Sequence, residues 1–352
     1  MCKTSIHEFL KRLPKCEHHM HLEGALSPRV LFQLAEKNNI TLPQDDEAFH
    51  SPDTLLARYK RFTSLDDFLH YYYIGMSVLI TPSDFAALAW DYFQHASADG
   101  VHHCELFFDP QAHLSRSISY TTVLSGFQSA CARAEKELGI TSMLTTCYLR
   151  HLPVPECLET FANAEVQESY ASGAVRGIGL DSSELSFPPE LFEELYEKAR
   201  EKGLKLTAHA GEEAPASYIA TALDTLHVSR IDHGIQLASD ATLMSRVAEQ
   251  GTLLTVCPLS NVVLRCVDKI ADVPIRTFLD AGVNFSINSD DPAYFGGYVL
   301  DNYVAVQEAF GLSVQEWERI ARAGIEGSWC SDERKGEMLK VLQGVVGEFE
   351  EP

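Results

Sequence analysis

The stretch "CEHHMHLEGA", residues 16 to 25, places three histidines in four positions and follows them with a glutamate and a glycine. Imidazole is the commonest metal ligand among side chains and the one that titrates nearest neutral pH. The segment therefore suggests metal binding or proton transfer. Which histidines can act together depends on the backbone that carries them. On a strand, alternate side chains point to one face. Glu17, His19 and His21 are expected on one face, and Cys16, His18 and Met20 on the other. Two imidazoles at i and i+2 can reach a single cation, and His18 cannot join them. The same alternation in "KLTAHAG" sets Lys205, Thr207 and His209 against Leu206, Ala208 and Ala210. The apolar set belongs under a covering layer, so His209 faces the interior. In "FSINSDD", Phe285 and Ile287 take the outer side, which leaves Ser286, Asn288 and Asp290 inside and makes Asp290 deeper than Asp291. Three neutral imidazoles and one carboxylate suit a borderline divalent ion such as zinc. A lone histidine is usually a hydrogen-bonded core or loop residue. That reading does not account for His19, His21, His209 and Asp290 together, all at strand ends.

The elements that must position them recur along the chain. Eight short apolar runs end in polar residues: "KCEHHMHLEG", "HHCELFFDP", "SMLTTCYLR", "VRGIGLDSSE", "LKLTAHAGE", "RIDHGI", "TLLTVCPLS" and "VNFSINSDDP". Between them lie helical patterns with the expected punctuation. "PPELFEELYEKAREKG" starts on prolines and reaches Gly203 where a left-handed cap is wanted. "SDATLMSRVAEQG" offers Ser239 or Asp240 as a cap and stops at Gly251, and "PIRTFLDAG" runs from Pro274 to Gly282. Residues 28 to 98 must hold extra helices, and residues 301 to 348 are again helical in pattern. The fold expected is an α/β (β/α)8 TIM barrel with extra helices after the first strand and at the C-terminus. A doubly wound open sheet is the competing architecture. In either, chemistry sits at the carboxyl ends of the strands. No linker or low-complexity tract interrupts residues 1–352, which read as one domain.

Bulk properties narrow the partners. The 352 residues are 45% hydrophobic and 22% charged, the balance of a globular protein with a large core. Lys+Arg of 28 against Asp+Glu of 50 gives a formal net charge of -22, which repels nucleic acid and anionic lipid. A small molecule or another protein is the expected partner. Nine cysteines without any C-x-x-C pair point to reduced thiols in a cytosolic setting, with a nuclear share left open. "MCKTSIHEFLKRLPK" has no apolar h-region, so no secretory signal is expected. "YYYIGMSVLI" is about half the ~18 residues a membrane span needs.

Four of the quoted motifs, "HMHLEG", "TAHAGEE", "RIDHG" and "SINSDDP", occur in an order that resembles the adenosine/adenine deaminase family of metal-dependent amidohydrolases. The match runs from residue 13 to about residue 300. The resemblance implies a barrel, one zinc ion per chain on His19, His21, His209 and Asp290, and hydrolytic loss of ammonia from carbon 6 of a purine. It implies further that His233 orients or deprotonates the attacking water. Glu212 corresponds to the family's proton donor to the ring nitrogen, and Asp291 to the residue that hydrogen-bonds the purine. One of the adjacent Glu212 and Glu213 is expected to be a helix-start carboxylate. The zinc deaminases that use P-C-x-x-C are excluded, since no C-x-x-C occurs.

Substrate choice must come from the surroundings. Glu23 in "HLEGAL", together with "ELFFDPQAH" and "GLDSSE", resembles the adenine deaminase branch. Glu23 and Ser182 would occupy space that a ribose needs. Adenine is the expected substrate and a purine base the expected partner. Adenosine and N6-substituted adenines remain alternatives, as does a catalytically silent purine-binding module. A two-metal hydrolase of cyclic amides would want a bridging lysine at the fourth strand, where "VRGIGLDSSE" has none. His102 and His103 lack a partner set and read as solvated or core residues ahead of a strand. Phe62, Leu65 and Phe68 have helical spacing, which fits core packing or, by resemblance, a lid over the base.

Overall fold

The computed structural model describes residues 3–350. All eight apolar runs form strands: β1 (Lys15–Glu17), β2 (Val101–Phe108), β3 (Thr141–Leu149), β4 (Gly177–Asp181), β5 (Lys205–Ala210), β6 (Arg230–His233), β7 (Leu253–Val256) and β8 (Asn284–Ile287). Each runs parallel to the next, in sequence order from β1 to β8. Parallel strands need crossovers, and helices supply each one from β2 onward. The sheet curls into a nearly closed barrel.

Register decides what faces the interior. His209 pairs with Asp232, Asp232 with Thr255, and Thr255 with Ser286. In-register partners of a parallel ladder share a face, so these four form one inward row. Ile231, Leu254 and Phe285 form the alternate row and are buried beneath the helices.

The seam between β8 and β1 is closed by a different means. The Asp290 N–H donates to the His19 carbonyl at 3.0 Å, and the Asp290 carbonyl accepts from the His21 N–H at 3.0 Å. The His18 N–H donates to Asn288 Oδ1 at 2.8 Å. The candidate ligands therefore sit on the backbone that shuts the barrel.

Here the simple alternation fails. β1 is only three residues long, and the strand breaks after Glu17. Glu17, expected beside His19 and His21, instead accepts from the Tyr92 hydroxyl at 2.7 Å and the Ser289 N–H at 3.0 Å. Tyr92 belongs to the outer helix Pro82–Ala98. His18, expected on the outer face, bonds Ser286 Oγ at 3.0 Å and Ser328 Oγ at 2.8 Å. It thus joins a buried polar layer one tier below His19. Arg230 and Glu105 form an ion pair at 2.6 Å in that layer, with Trp329 stacked on the guanidinium at 3.8 Å.

The insertion after β1 holds helices Pro28–Lys37, Pro52–Tyr59, Leu65–Met76 and Pro82–Ala98. Helices Val299–Phe310, Val314–Gly327 and Asp332–Glu350 follow β8. Asp240 caps its helix by accepting from the Thr242 and Leu243 N–H groups, and Gly251 ends that helix at φ +67°. The "PPELFEELYEKAREKG" segment is split into a 3-10 turn over Pro189–Phe192 and an α-helix over Glu193–Glu201. His102 and His103 lie within β2 rather than ahead of it. His103 is a core residue bonded to Thr141 and Glu105. The eight described cysteines are all free thiols. Among the described residues no helix is long and apolar enough to cross a membrane.

Candidate metal centre

The carboxyl ends of β1, β5, β6 and β8 bring four imidazoles and a carboxylate together. Asp290 Oδ1 lies 3.2 Å from His19 Nε2 and 3.6 Å from His21 Nε2. His21 Nε2 and His209 Nε2 are 3.4 Å apart. Asp290 Oδ2 faces the other way, 3.8 Å from His233 Nε2. Ligand atoms of His19, His209, His233 and Asp290 all lie within 4.8 Å of one another, and those of His21 make a second such group with Asp109 and Asp181. His21 joins the two groups. Ligands at about 2.05 Å around a tetrahedral ion are roughly 3.3 Å apart, close to the spacing of these atoms.

The outer nitrogens face a hydroxyl or a carboxylate. His19 Nδ1 bonds Thr255 Oγ1 at 3.0 Å and lies 3.9 Å from Asp232 Oδ1. His209 Nδ1 is 3.6 Å from Asp232 Oδ2, and His21 Nδ1 is 3.6 Å from Asp181 Oδ2. Asp232 is itself held by the hydroxyls of Thr207 (2.7 Å) and Thr255 (2.9 Å). Carboxylates behind metal-binding histidines fix ring orientation in this way. His19 Nε2, on the inner side, is buried and has no hydrogen-bond partner, and the same holds for His209 Nδ1 on the outer side. An orphaned nitrogen among converging acceptors fits a cation and is otherwise unfavourable.

Electrostatics agree with that reading. Burial, and then the charge on His19, keeps His209 and His233 below the usual imidazole pKa. Burial alone would raise the pKa of Asp290, but the imidazoles of His19, His233 and His21 outweigh it and hold the carboxyl well below its ordinary value. His209 and His233 are thus neutral donors beside an ionised carboxylate, as a divalent cation needs, whereas at His19 burial is outweighed by Asp290, which raises its pKa, so a cation binding there displaces a proton.

Glu212 stands beside this cluster, its Oε2 3.5 Å from His233 Nε2. Burial, followed by the carboxylates of Asp290, Glu184 and Glu213, raises its pKa well above the usual value. Its loop is pinned by Glu184, whose Oε2 accepts from the N–H groups of Glu212 (3.1 Å), Glu213 (3.0 Å) and Ala214 (2.7 Å). Neither glutamate starts a helix, because the next helix begins only at Ser217.

Three of these positions are conformationally strained. Ser182, His233 and Asp290 have φ of 73°, 59° and 63°, the left-handed region that non-glycine residues usually avoid. The reversal swings Asp290 across the mouth of the barrel. Gly24 is required there for another reason, since a Cβ on it would lie 2.0 Å from Asp291 Oδ1. Helix Leu65–Met76 covers the cluster. Leu65, Phe68 and Tyr72 line a cavity with His21, Asp109 and Asp291 beneath them. The space over the cluster, open solvent at the mouth included, is about 440 Å3. Phe68 also packs on Tyr294 and Phe295, and Phe62 on Tyr59. The aromatic stripe is thus partly core and partly cavity wall.

Ser182 and Asp291 line the cavity, whereas Glu23 does not. Glu23 is fully buried, with Oε1 accepting from His113 Nε2 at 2.8 Å and from the Asp109 N–H at 3.1 Å. It stands behind Asp109, because its short 3-10 turn (Glu23–Ala25) directs the side chain toward β2. Asp109, Asp181, Glu184 and Asp232 were not singled out from sequence, although each lies within a quoted strand-end motif.

Comparison with known proteins accords with this geometry. The family model described as adenosine deaminase matches residues 14–345. The chain belongs to the adenosine deaminase family. Within it, the chain is 57% identical over 349 residues to a Schizosaccharomyces pombe protein named adenine deaminase, covering 99% of this chain and 95% of that one. A crystal structure of adenine deaminase from Arthrobacter aurescens superposes with a TM-score of 0.90 at 43% identity, covering 95% and 99% of the two chains. A Burkholderia ambifaria amidohydrolase structure with bound Zn gives 0.88 at 27% identity, covering 99% and 94%. Family membership and the buried histidine–aspartate cluster are consistent with a metal cofactor.

Proposed function

We propose that the chain is an adenine deaminase, converting adenine and water to hypoxanthine and ammonia, a reaction of purine salvage. The observation that carries the reading is the convergence of His19, His21, His209 and Asp290 beside Glu212, in a chain 57% identical to a protein of that name. The four converging side chains would hold one zinc ion. Zinc held there would supply the Lewis acidity that makes water a nucleophile near neutral pH.

The remaining work falls to the chain's own residues. His233, kept neutral by burial, orients the attacking water and accepts its proton, with Asp290 Oδ2 alongside at 3.8 Å. Attack at carbon 6 breaks the aromatic ring, so the neighbouring ring nitrogen must gain a proton. Glu212, protonated through burial and its carboxylate neighbours, donates it. Asp291 hydrogen-bonds the ring to fix its orientation, and Ser182 contacts the purine edge. Glu23 acts on the substrate through Asp109, whose N–H it accepts. Tyr72 and Phe68 of the covering helix close over the base and exclude water.

The test is ultraviolet turnover of adenine, adenosine and N6-methyladenine in parallel by the purified protein. Adenine is expected to be deaminated fastest. Faster turnover of adenosine would overturn the substrate assignment.

A further inference from the structure

We propose that Asp109 reads the imidazole N–H of a free purine base, and so discriminates adenine from any purine substituted at that nitrogen. The inference deepens the adenine reading and rests on it.

Asp109 follows β2 directly and precedes Pro110 at the N-terminus of helix Pro110–Leu114. Aspartate in that place ordinarily accepts a hydrogen bond from the first turn. Asp109 forgoes it: the helix has no side-chain cap. Asp291 repeats the arrangement, an aspartate before Pro292 at the start of helix Pro292–Phe295, again without a side-chain cap. Both carboxylates are turned into the cavity instead. Asp109 is 2% exposed, and its Oδ1 has no hydrogen bond of ordinary geometry, although Tyr72 and Asp181 flank it. The Asp109 backbone is held independently, since its N–H donates to Glu23 Oε1, which also accepts from His113. The side chain is thus fixed at its base and unsatisfied at its tip, as expected of a group reserved for a ligand donor.

With carbon 6 toward the metal cluster, adenine turns the N9 edge of its imidazole ring away from the reacting carbon. Three carboxylates that line the cavity have such unpaired oxygens, Asp109, Asp181 and Asp291; Asp109 and Asp181 each have an oxygen within 4.8 Å of a His21 nitrogen, and Asp181 is the one that faces it, at 3.6 Å. Asp291 is assigned to the ring above, which leaves Asp109 for the ring N–H. Adenine has that hydrogen; adenosine and 9-methyladenine do not. A site built to bond a substrate N–H rejects analogues lacking it by about 10^4–10^5, because its own buried acceptor is left unpaired.

The experiment compares kcat/KM for adenine and 9-methyladenine in wild type, Asp109→Ala and Asp109→Asn, with bound metal measured in each. Wild type is expected to prefer adenine by about 10^4. Asp109→Ala should lose at least about 100-fold on adenine and nothing on 9-methyladenine, with metal content unchanged. Asp109→Asn, which keeps a weaker acceptor, should fall between the two. Equal losses on both substrates, or undiminished turnover of adenine, would overturn the inference. Binding of hypoxanthine and 9-methylhypoxanthine by calorimetry gives a reading independent of turnover. A wild-type preference for hypoxanthine that vanishes in Asp109→Ala supports the role, and no preference refutes it. Failure of wild type to deaminate adenine would instead refute the activity itself.

Discussion

Replacing Asp232 by Asn isolates the contribution of the groups behind the metal cluster. Asp232 stands behind two candidate ligands at once, with His209 Nδ1 at 3.6 Å and His19 Nδ1 at 3.9 Å. Burial would raise its pKa, but His209 and His19 outweigh that and keep it ionised. Loss of an outer partner of one metal-bound histidine costs about 10–100-fold in metal affinity or activity. With two histidines affected, the expected loss is about 10^2–10^3, or roughly 3–4 kcal/mol at 1.36 kcal/mol per decade. Asparagine has the same shape and can still bond the Thr207 and Thr255 hydroxyls, so the barrel should fold. Zinc affinity is read by competition with a chromophoric chelator, and kcat is measured at saturating zinc. Thr255→Val, which removes the 3.0 Å contact to His19 and the 2.9 Å bond to Asp232 but keeps the carboxylate, should cost about 10-fold. Zinc affinity in Asp232→Asn within twofold of wild type would refute the reasoning.

Other expectations follow from single contacts. Glu212→Gln should retain its metal while kcat falls by about 10^2–10^4, as loss of a general acid requires; full activity would remove Glu212 from the mechanism. Gly24→Ala drives a methyl to within 2.0 Å of Asp291 Oδ1, so it should lower the melting temperature by the equivalent of about 1–3 kcal/mol and abolish turnover, both measurable on one preparation. Asp84 accepts from the N–H groups of Ile80 and Thr81 and from Asn38, and it pairs with Lys37. Burial would raise its pKa, but these bonds, led by Lys37, lower it from 3.8 to about 2. Its stabilisation is therefore present above pH ~4 and lost as pH falls toward 2. Allowing for solvent screening, Asp84→Asn should cost about 1–2 kcal/mol at pH 7 by urea titration, with the gap to wild type closing between pH 4 and 2.

Much of the barrel could be read along the chain because strand-end polarity and helix punctuation are local. All eight apolar runs became strands, and Asp240, Gly251 and Gly282 end or cap helices where their chemistry suggests. The interior placement of His209 followed from alternation, since β5 is regular. Asp290 reached the centre by another route: it lies beyond β8, and a left-handed φ of 63° directs it. His18 and Glu17 were misplaced because alternation assumes a continuing ladder. At the seam, a side-chain oxygen of Asn288 takes the place of a strand partner. Asp232, Glu184 and Asp109 went unnoticed because their roles exist only as contacts between segments far apart in sequence. Asp232 meets His19 across 213 positions, and no local pattern encodes that.

Titration of zinc into metal-stripped protein, with adenine deamination followed at each step, tests the central claim most directly. A single cation gripped by His19, His21, His209 and Asp290 predicts that activity rises linearly and saturates at one equivalent per chain, with a parallel rise in melting temperature. Saturation only at two equivalents, or full activity before any metal is added, would contradict the account.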